Sequence, residues 1–143
     1  MSATPYTEPQ ALVDAFGEAE LVELTDRATP RANEVDFVVA QQACDRATAE
    51  INAALAGRYS LPLQTVPELL RYLALDLARF YLYDREPPKI VQARFDAARE
   101  TLRELGTGRK HLGADAAGTS VAERPQDLAV LNAGAKDFAR GAW

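Results

Sequence analysis

Few places in this sequence carry residue types capable of chemistry, and each can be weighed on spacing alone. Gly106-Thr107-Gly108-Arg109-Lys110 has the glycines and the lysine of a phosphate-cradling loop. It lacks the Walker spacing and follows a helical pattern instead of a strand, so it reads as a helix C-cap and hinge. His111 is the sole histidine and Cys44 the sole cysteine. A metal needs several converging ligands, and neither residue has a second histidine or cysteine with which to share one. Cys44 has no histidine nearby to take its proton, and it falls on an apolar helical stripe, where it reads as a small core residue. Carboxylates are plentiful, but no spacing singles out an acid–base pair. The expectation is a chain that works without catalysis, cofactor or metal.

One polar residue stands in an unexpected place. On a helical wheel Asp76 falls among Leu69, Tyr72, Phe80 and Tyr83. A buried carboxylate without a partner is costly. Asp76 is therefore expected to form a structural ion pair with Arg79 on the next turn or with Arg58 from the preceding loop, or to bond a tyrosine hydroxyl. Such a pair would lock that loop to the rest of the fold.

The elements that position these residues are helical. Thr7 and Gln10 around Pro9 form a helix start signal, Leu12, Val13 and Phe16 share one face, and Gly17 is a stop. A second short helix runs from Glu18 to Leu24; both are too short to stand alone and must dock on something larger. After a loop at Thr29-Pro30-Arg31, Asn33 or Asp36 caps a long helix reaching about Ala56. Its apolar positions Ala40, Cys44, Ala47, Ile51 and Leu55 make one stripe, narrow because its residues are small, along which a neighbouring helix can approach closely. Thr65 and Glu68 read as a capping box around Pro67. The helix they open, to about Asp84, carries Leu69, Leu70, Leu73, Ala74, Leu77, Phe80 and Tyr81 on a broad face. Tyr72, Leu75, Leu82 and Tyr83 extend the apolar surface nearly all round. Such a helix is either central or has a second face reserved for a partner chain.

Pro87-Pro88 breaks the chain, and a last helix with Val91, Phe95, Ala98, Leu102 and Leu105 inward follows to about Leu105. From Gly106 the sequence becomes rich in glycine and alanine and poor in large apolar side chains, too poor to bury a core of its own. The expected architecture is all-α: a small bundle of about five helices over residues 1–105, with an extended C-terminal arm over residues 106–143 ordered by neighbouring subunits.

Composition bounds the role. The chain has 143 residues, 48% apolar and 26% charged, which suits one soluble domain. No apolar stretch is long enough to cross a membrane, residues 1–10 do not read as a signal peptide, and no membrane association is expected. One cysteine allows no intrachain disulfide, in keeping with a reducing cytoplasm. The net charge of −5 argues against a nucleic-acid coat, because neutralising phosphates needs clustered Lys and Arg. The acidity is concentrated in residues 1–26, which hold Glu8, Asp14, Glu18, Glu20, Glu23 and Asp26 and no basic side chain.

Several segments, taken together and in order, are more specific. Pro5-Tyr6-Thr7, Phe16-Gly17-Glu18, Leu24-Thr25-Asp26-Arg27 and Ala56-Gly57-Arg58-Tyr59-Ser60-Leu61-Pro62-Leu63 are among them. So are Asp76-Leu77-Ala78-Arg79-Phe80-Tyr81-Leu82-Tyr83-Asp84 and Leu112-Gly113-Ala114-Asp115-Ala116-Ala117-Gly118. Over residues 5–118 the chain resembles the small head–tail joining (connector adaptor, neck) proteins of Mu-like phages and prophages. The resemblance implies a structural virion protein made in the bacterial host cytoplasm and built into the virion neck. It implies a homo-oligomeric ring, commonly a dodecamer, docked on the portal protein, contacting the next tail or neck protein, with genomic DNA passing through its channel without specific binding. Aromatic and basic residues near the end of the chain are similar in type to those of family members.

The candidate partner surface is accordingly Tyr59, Leu61, Pro62, Tyr72, Tyr83, Phe138, Arg140 and Trp143. Acidic surface turned to the channel would repel phosphates and let DNA slide. The main rival reading is a bacterial helical interaction module, regulatory or toxin-neutralising, without a virion role. A nucleic-acid binder is disfavoured by the N-terminal acidity, and an enzyme comes last.

Overall fold

The computed structural model describes residues 5–113. Its regular elements are five α-helices: α1 (Pro9–Phe16), α2 (Glu18–Thr25), α3 (Phe37–Leu55), α4 (Glu68–Leu82) and α5 (Lys89–Thr107). The all-α expectation holds. Residues 114–143, most of the expected arm, lie outside the described residues.

The pairing of α3 with α4 is the most extensive in the fold, and the small-residue stripe explains why. Ala40, Cys44, Ala47, Ile51 and Leu55 are all fully buried. Their short side chains let α4 come close enough to interdigitate Leu70, Leu73, Ala74, Leu77 and Leu82, the buried face of that helix. Short α1 and α2 pack against the pair through Leu12 and Leu21, both fully buried. The last helix, α5, also packs on α3 and α4, with Val91, Phe95, Ala98, Leu102 and Leu105 inward. Phe95 stacks on Phe80 at 3.6 Å between centroids, and Tyr81 meets it edge-on at 5.6 Å.

Helix ends differ from the expectation in instructive ways. Asp36, not Asn33, caps α3, accepting from the Val38 and Val39 N–H groups at 3.0 and 3.2 Å. Neither the expected Thr7 cap nor the Thr65–Glu68 capping box forms. Pro67 occupies the N-cap of α4, so Thr65 is out of register with the first free N–H groups. At α1 the N-cap is Glu8, without a side-chain cap bond. Thr7 is drawn away because Tyr6 inserts into the core, 4% exposed. The Tyr6 hydroxyl donates to Asn52 Oδ1 at 2.6 Å, and the Tyr6 N–H reaches Thr48 Oγ1 at 3.5 Å. Residues 5–8 thus form a strap across the C-terminal half of α3. Gly17, at φ 94°, closes α1 and opens α2, with its N–H on the Val13 carbonyl at 2.8 Å.

The helical unit extends past Leu105. Gly106 lies inside α5, where an added Cβ would sit 2.7 Å from the Ala54 carbonyl oxygen; glycine permits this close approach to the end of α3. The left-handed C-cap is Gly108, at φ 87°. Leu112 folds back into the core at 7% exposure, and its N–H donates to the Tyr59 hydroxyl at 3.2 Å. The packed unit therefore includes residues 106–112, and the boundary expected at Leu105 falls within a helix.

Candidate interaction surfaces

The polar contacts that hold this unit together are not those expected from helical spacing. Asp76 is only partly buried and lies 3.9 Å from Arg94 of α5. Burial pushes its carboxyl above the ordinary range, against the opposing pull of Arg94 and then Arg79. Arg79 turns the other way. Its guanidinium makes a two-pronged contact with Glu20 of α2, at 2.9 and 2.8 Å, and lies 4.3 Å over the Phe16 ring. Arg58 reaches neither: it lies 3.4 Å from His111 Nδ1 and packs so closely over Gly108 that a Cβ there would meet its guanidinium at 1.8 Å. The Asp76 ion pair with Arg79 or Arg58 is thus replaced by Arg94. The reason is geometric: Asp76 and Arg79 leave α4 on different sides, one toward α5 and the other toward α2.

Glu20–Arg79 joins residues 59 apart in the sequence, and no local pattern signals it. Part of the N-terminal acidity is therefore answered by a distant arginine. A second unforeseen device is Asp26, whose side chain is 2% exposed. It accepts from the N–H groups of Ala28, Ala32 and Asn33 at 3.3, 3.3 and 2.7 Å, folding the loop around itself. The Asn33 bond, first among these, holds its carboxyl below the ordinary range. Thr25 completes the brace, donating to the Leu21 carbonyl at 2.7 Å and accepting from the Asp36 N–H at 2.9 Å. An aspartate placed two residues before a backbone donor in a loop is the one local hint of this arrangement.

Cys44 is fully buried, and its thiol is pushed up to about 12 by burial and then by the Asp45 and Glu8 carboxylates. Tyr81 donates to Glu50, and burial followed by this bond pushes it up to about 12 as well. Arg99 closes on the same Glu50 at 3.2 Å and Arg46 lies over the Tyr81 ring at 4.1 Å, so this cluster joins α3, α4 and α5. Among the described residues no group of histidine, cysteine and carboxylate side chains is arranged to hold a metal ion.

Tyr59, expected at a partner surface, is 1% exposed and belongs to the core. Its ring is needed between the end of α3 and the returning Leu112. Leu61 is half-buried against the core, Pro62 is exposed and Tyr83 is half-buried. Tyr72 is 60% exposed, with Leu69 beside it at 38%. Phe138, Arg140 and Trp143 lie outside the described residues. At the opposite end, the N-termini of α3 and α5 expose Phe37, Val38 and Ile90 at 52, 67 and 56%. Both helices run antiparallel to α4, so these apolar side chains and Tyr72 mark different ends of the bundle. Beside Tyr72, a groove of about 430 Å³ opens between the strap and α4, walled by Pro5, Tyr6, Thr7, Ala11, Tyr72 and Leu75.

A family model described as Bacteriophage Mu, Gp36 matches residues 6–130, from the strap through all five helices and beyond. The chain belongs to this family. Among its relatives, Gene product J of Escherichia phage Mu is 30% identical over 105 residues, which is 73% of this chain and 74% of that protein. Mu-like prophage FluMu protein gp36 of Haemophilus influenzae is 30% identical over 84 residues, 59% of this chain and 60% of that protein. The likeness to Mu-like phage proteins carried by the quoted segments thus holds. Tyr6, Tyr59 and Leu112, which tie the two ends of the described unit to α3, all fall inside the matched range. No described helix is long and apolar enough to cross a membrane.

Proposed function

We propose that this family member is a head–tail adaptor, a structural and non-catalytic virion subunit. It forms a dodecameric ring in the neck, beneath the portal protein, and contacts the next tail or neck protein, with genomic DNA passing through the channel. The observation that carries the reading, beyond membership of a phage family, is the pair of exposed apolar regions at opposite ends of the bundle. A ring of identical subunits needs one patch that meets a different patch on the next copy. Phe37, Val38 and Ile90 on one side and Leu69 and Tyr72 on the other meet that requirement, whereas a two-fold dimer would use one self-complementary patch. Glu8, Asp14, Glu18 and Glu23 remain exposed on and beside α1 and α2. Turned to the channel, this face repels phosphates and lets DNA slide.

Light scattering coupled to size-exclusion chromatography, with and without the cognate portal, tests the proposal. The expected result is a ring-sized complex that co-elutes with the portal. A monomer or dimer that ignores the portal and instead binds a single bacterial partner helix refutes it in favour of a regulatory module.

A further inference from the structure

We infer that the groove between the strap and α4 is the seat for Ile90 and the first turn of α5 from the next copy in the ring. The seat rests on the ring proposed above and names which of the exposed apolar side chains closes it. Pro5, Ala11, Tyr72 and Leu75 make the wall of the groove apolar, and its volume of about 430 Å³ lies in the ~300–1,000 Å³ range of clefts that hold ligands. Ile90 is 56% exposed at the far end of the bundle.

A subunit cannot fill its own groove. Tyr72 stands one turn into α4, and Ile90 lies beside the other end, because α5 runs antiparallel to α4 and begins at Lys89, shortly after α4 ends at Leu82. From Tyr72 to Leu82 the helix rises ~1.5 Å per residue, about 15 Å in all. An isoleucine side chain does not reach that far, so the occupant comes from a second copy. Each copy then offers one seat and one Ile90 at different ends, and the contact repeats from subunit to subunit until the ring closes.

Charge decides between the exposed apolar groups at that far end. The rim of the groove carries Glu8 and Glu68 against Arg71, a net charge of −1. Phe37 and Val38 open α3 among Glu34, Asp36 and Asp45, and no cation lies between Glu34 and Asp45. Such a surface is repelled by the rim. Ile90 has Lys89 beside it and Arg94 on the next turn, against Asp96, so the first two turns of α5 carry a net charge of +1. Lys89 and Arg94 are both exposed. The helix ends agree with the side chains. Asp36 already caps α3, whereas Pro88 at the N-cap of α5 offers no side-chain acceptor and the first turn holds no carboxylate. The free N–H groups of that turn favour a carboxylate brought from outside, and the rim supplies two.

The test uses full-length chains assembled with the cognate portal, one population carrying Ala11→Cys in the groove wall and the other Ile90→Cys. Native Cys44 is fully buried. Mild oxidation is expected to give the A11C–I90C dimer about tenfold above a control pairing A11C with V38C, because cysteines whose Cα atoms stand more than about 7 Å apart do not bridge. Val38 is more exposed than Ile90, so accessibility alone would favour the control. As a second readout, Lys89→Glu is expected to weaken assembly on the portal by about fivefold, and adding Glu68→Lys to the same chain is expected to restore it. The inference is overturned by an A11C–I90C dimer no more abundant than the control, or by a double variant no better than Lys89→Glu alone. A ring seen by light scattering that gives no bridge refutes the seat and leaves the adaptor reading standing. Bridged pairs that stop at a dimer and ignore the portal uphold the seat and refute the ring. Absence of both ring and bridge refutes the two together.

Discussion

Removing the Arg79 guanidinium is expected to unfasten the N-terminal helices from the bundle. Two contributions are lost in Arg79→Met, which retains the apolar stem. The first is a pair of charge-assisted bonds to Glu20 at 2.9 and 2.8 Å, between side chains only 15 and 27% exposed. Bonds to charged groups contribute about 1.5–3 kcal/mol, and residual solvent at Glu20 places this pair toward the lower end of that range. The second is the guanidinium over Phe16 at 4.3 Å, worth about 0.5–1 kcal/mol. The sum is about 2–3 kcal/mol, a large share of the ~5–15 kcal/mol that stabilises a typical domain. With a urea slope of about 1.5–2 kcal/mol per molar, the unfolding midpoint falls by about 1–2 M. A double-mutant cycle with Glu20→Gln isolates the pair and is expected to give a coupling of about 1–2 kcal/mol. Arg94→Met is the matched control: it leaves Asp76 without a partner that is 3.9 Å away and 53% exposed, and should change stability by less than about 0.5 kcal/mol. If Arg79→Met costs no more than Arg94→Met, or the coupling is indistinguishable from zero, the lock has been put in the wrong place.

Three further outcomes follow from the same contacts. Asp26 has a lowered folded-state pKa, so its contribution is fully present above its unfolded value near 3.8 and is lost as pH falls through the folded value. The stability gap between the native chain and Asp26→Asn, measured by denaturant titration, should therefore be constant from neutral pH to about 5 and shrink in stronger acid; a gap that widens there contradicts the assignment. Asp76 has the opposite sign: its raised pKa means that stability falls as pH rises from the unfolded value through the folded one, so Asp76→Asn should be neutral or slightly stabilising at pH 7. Ending the chain after Leu105 should lower the melting temperature well below that of a chain ended after Gly113, because only the shorter one loses the Gly108 cap, the buried Leu112 and the bond to Tyr59; equal melting temperatures would return the boundary to Leu105.

The sequence alone determined which segments are helical and which faces of α3 and α5 turn inward. Ala40, Cys44, Ala47, Ile51 and Leu55 are all buried, and so are Val91, Phe95, Ala98, Leu102 and Leu105, because burying an apolar stripe on a 3.6-residue period is a local property of the chain. The segments quoted between Pro5 and Gly118, in their sequence order, were enough to point to the Mu-like family. Tertiary structure decided the polar contacts and the limits of the unit. Helical spacing brings Arg79 within reach of Asp76, yet Arg79 lies beside Glu20 because the direction in which a side chain leaves α4 is set by which helix packs there. Tyr59 looked like an exposed aromatic in a proline-containing loop until Leu112, fifty-three residues later, folded over it. Tyr6 took Thr7 away from its expected capping role in the same manner, by reaching Asn52. Each of these depends on which distant segments meet, and a hydroxyl, guanidinium or carboxylate with several possible partners is assigned by that meeting and not by its neighbours in the chain.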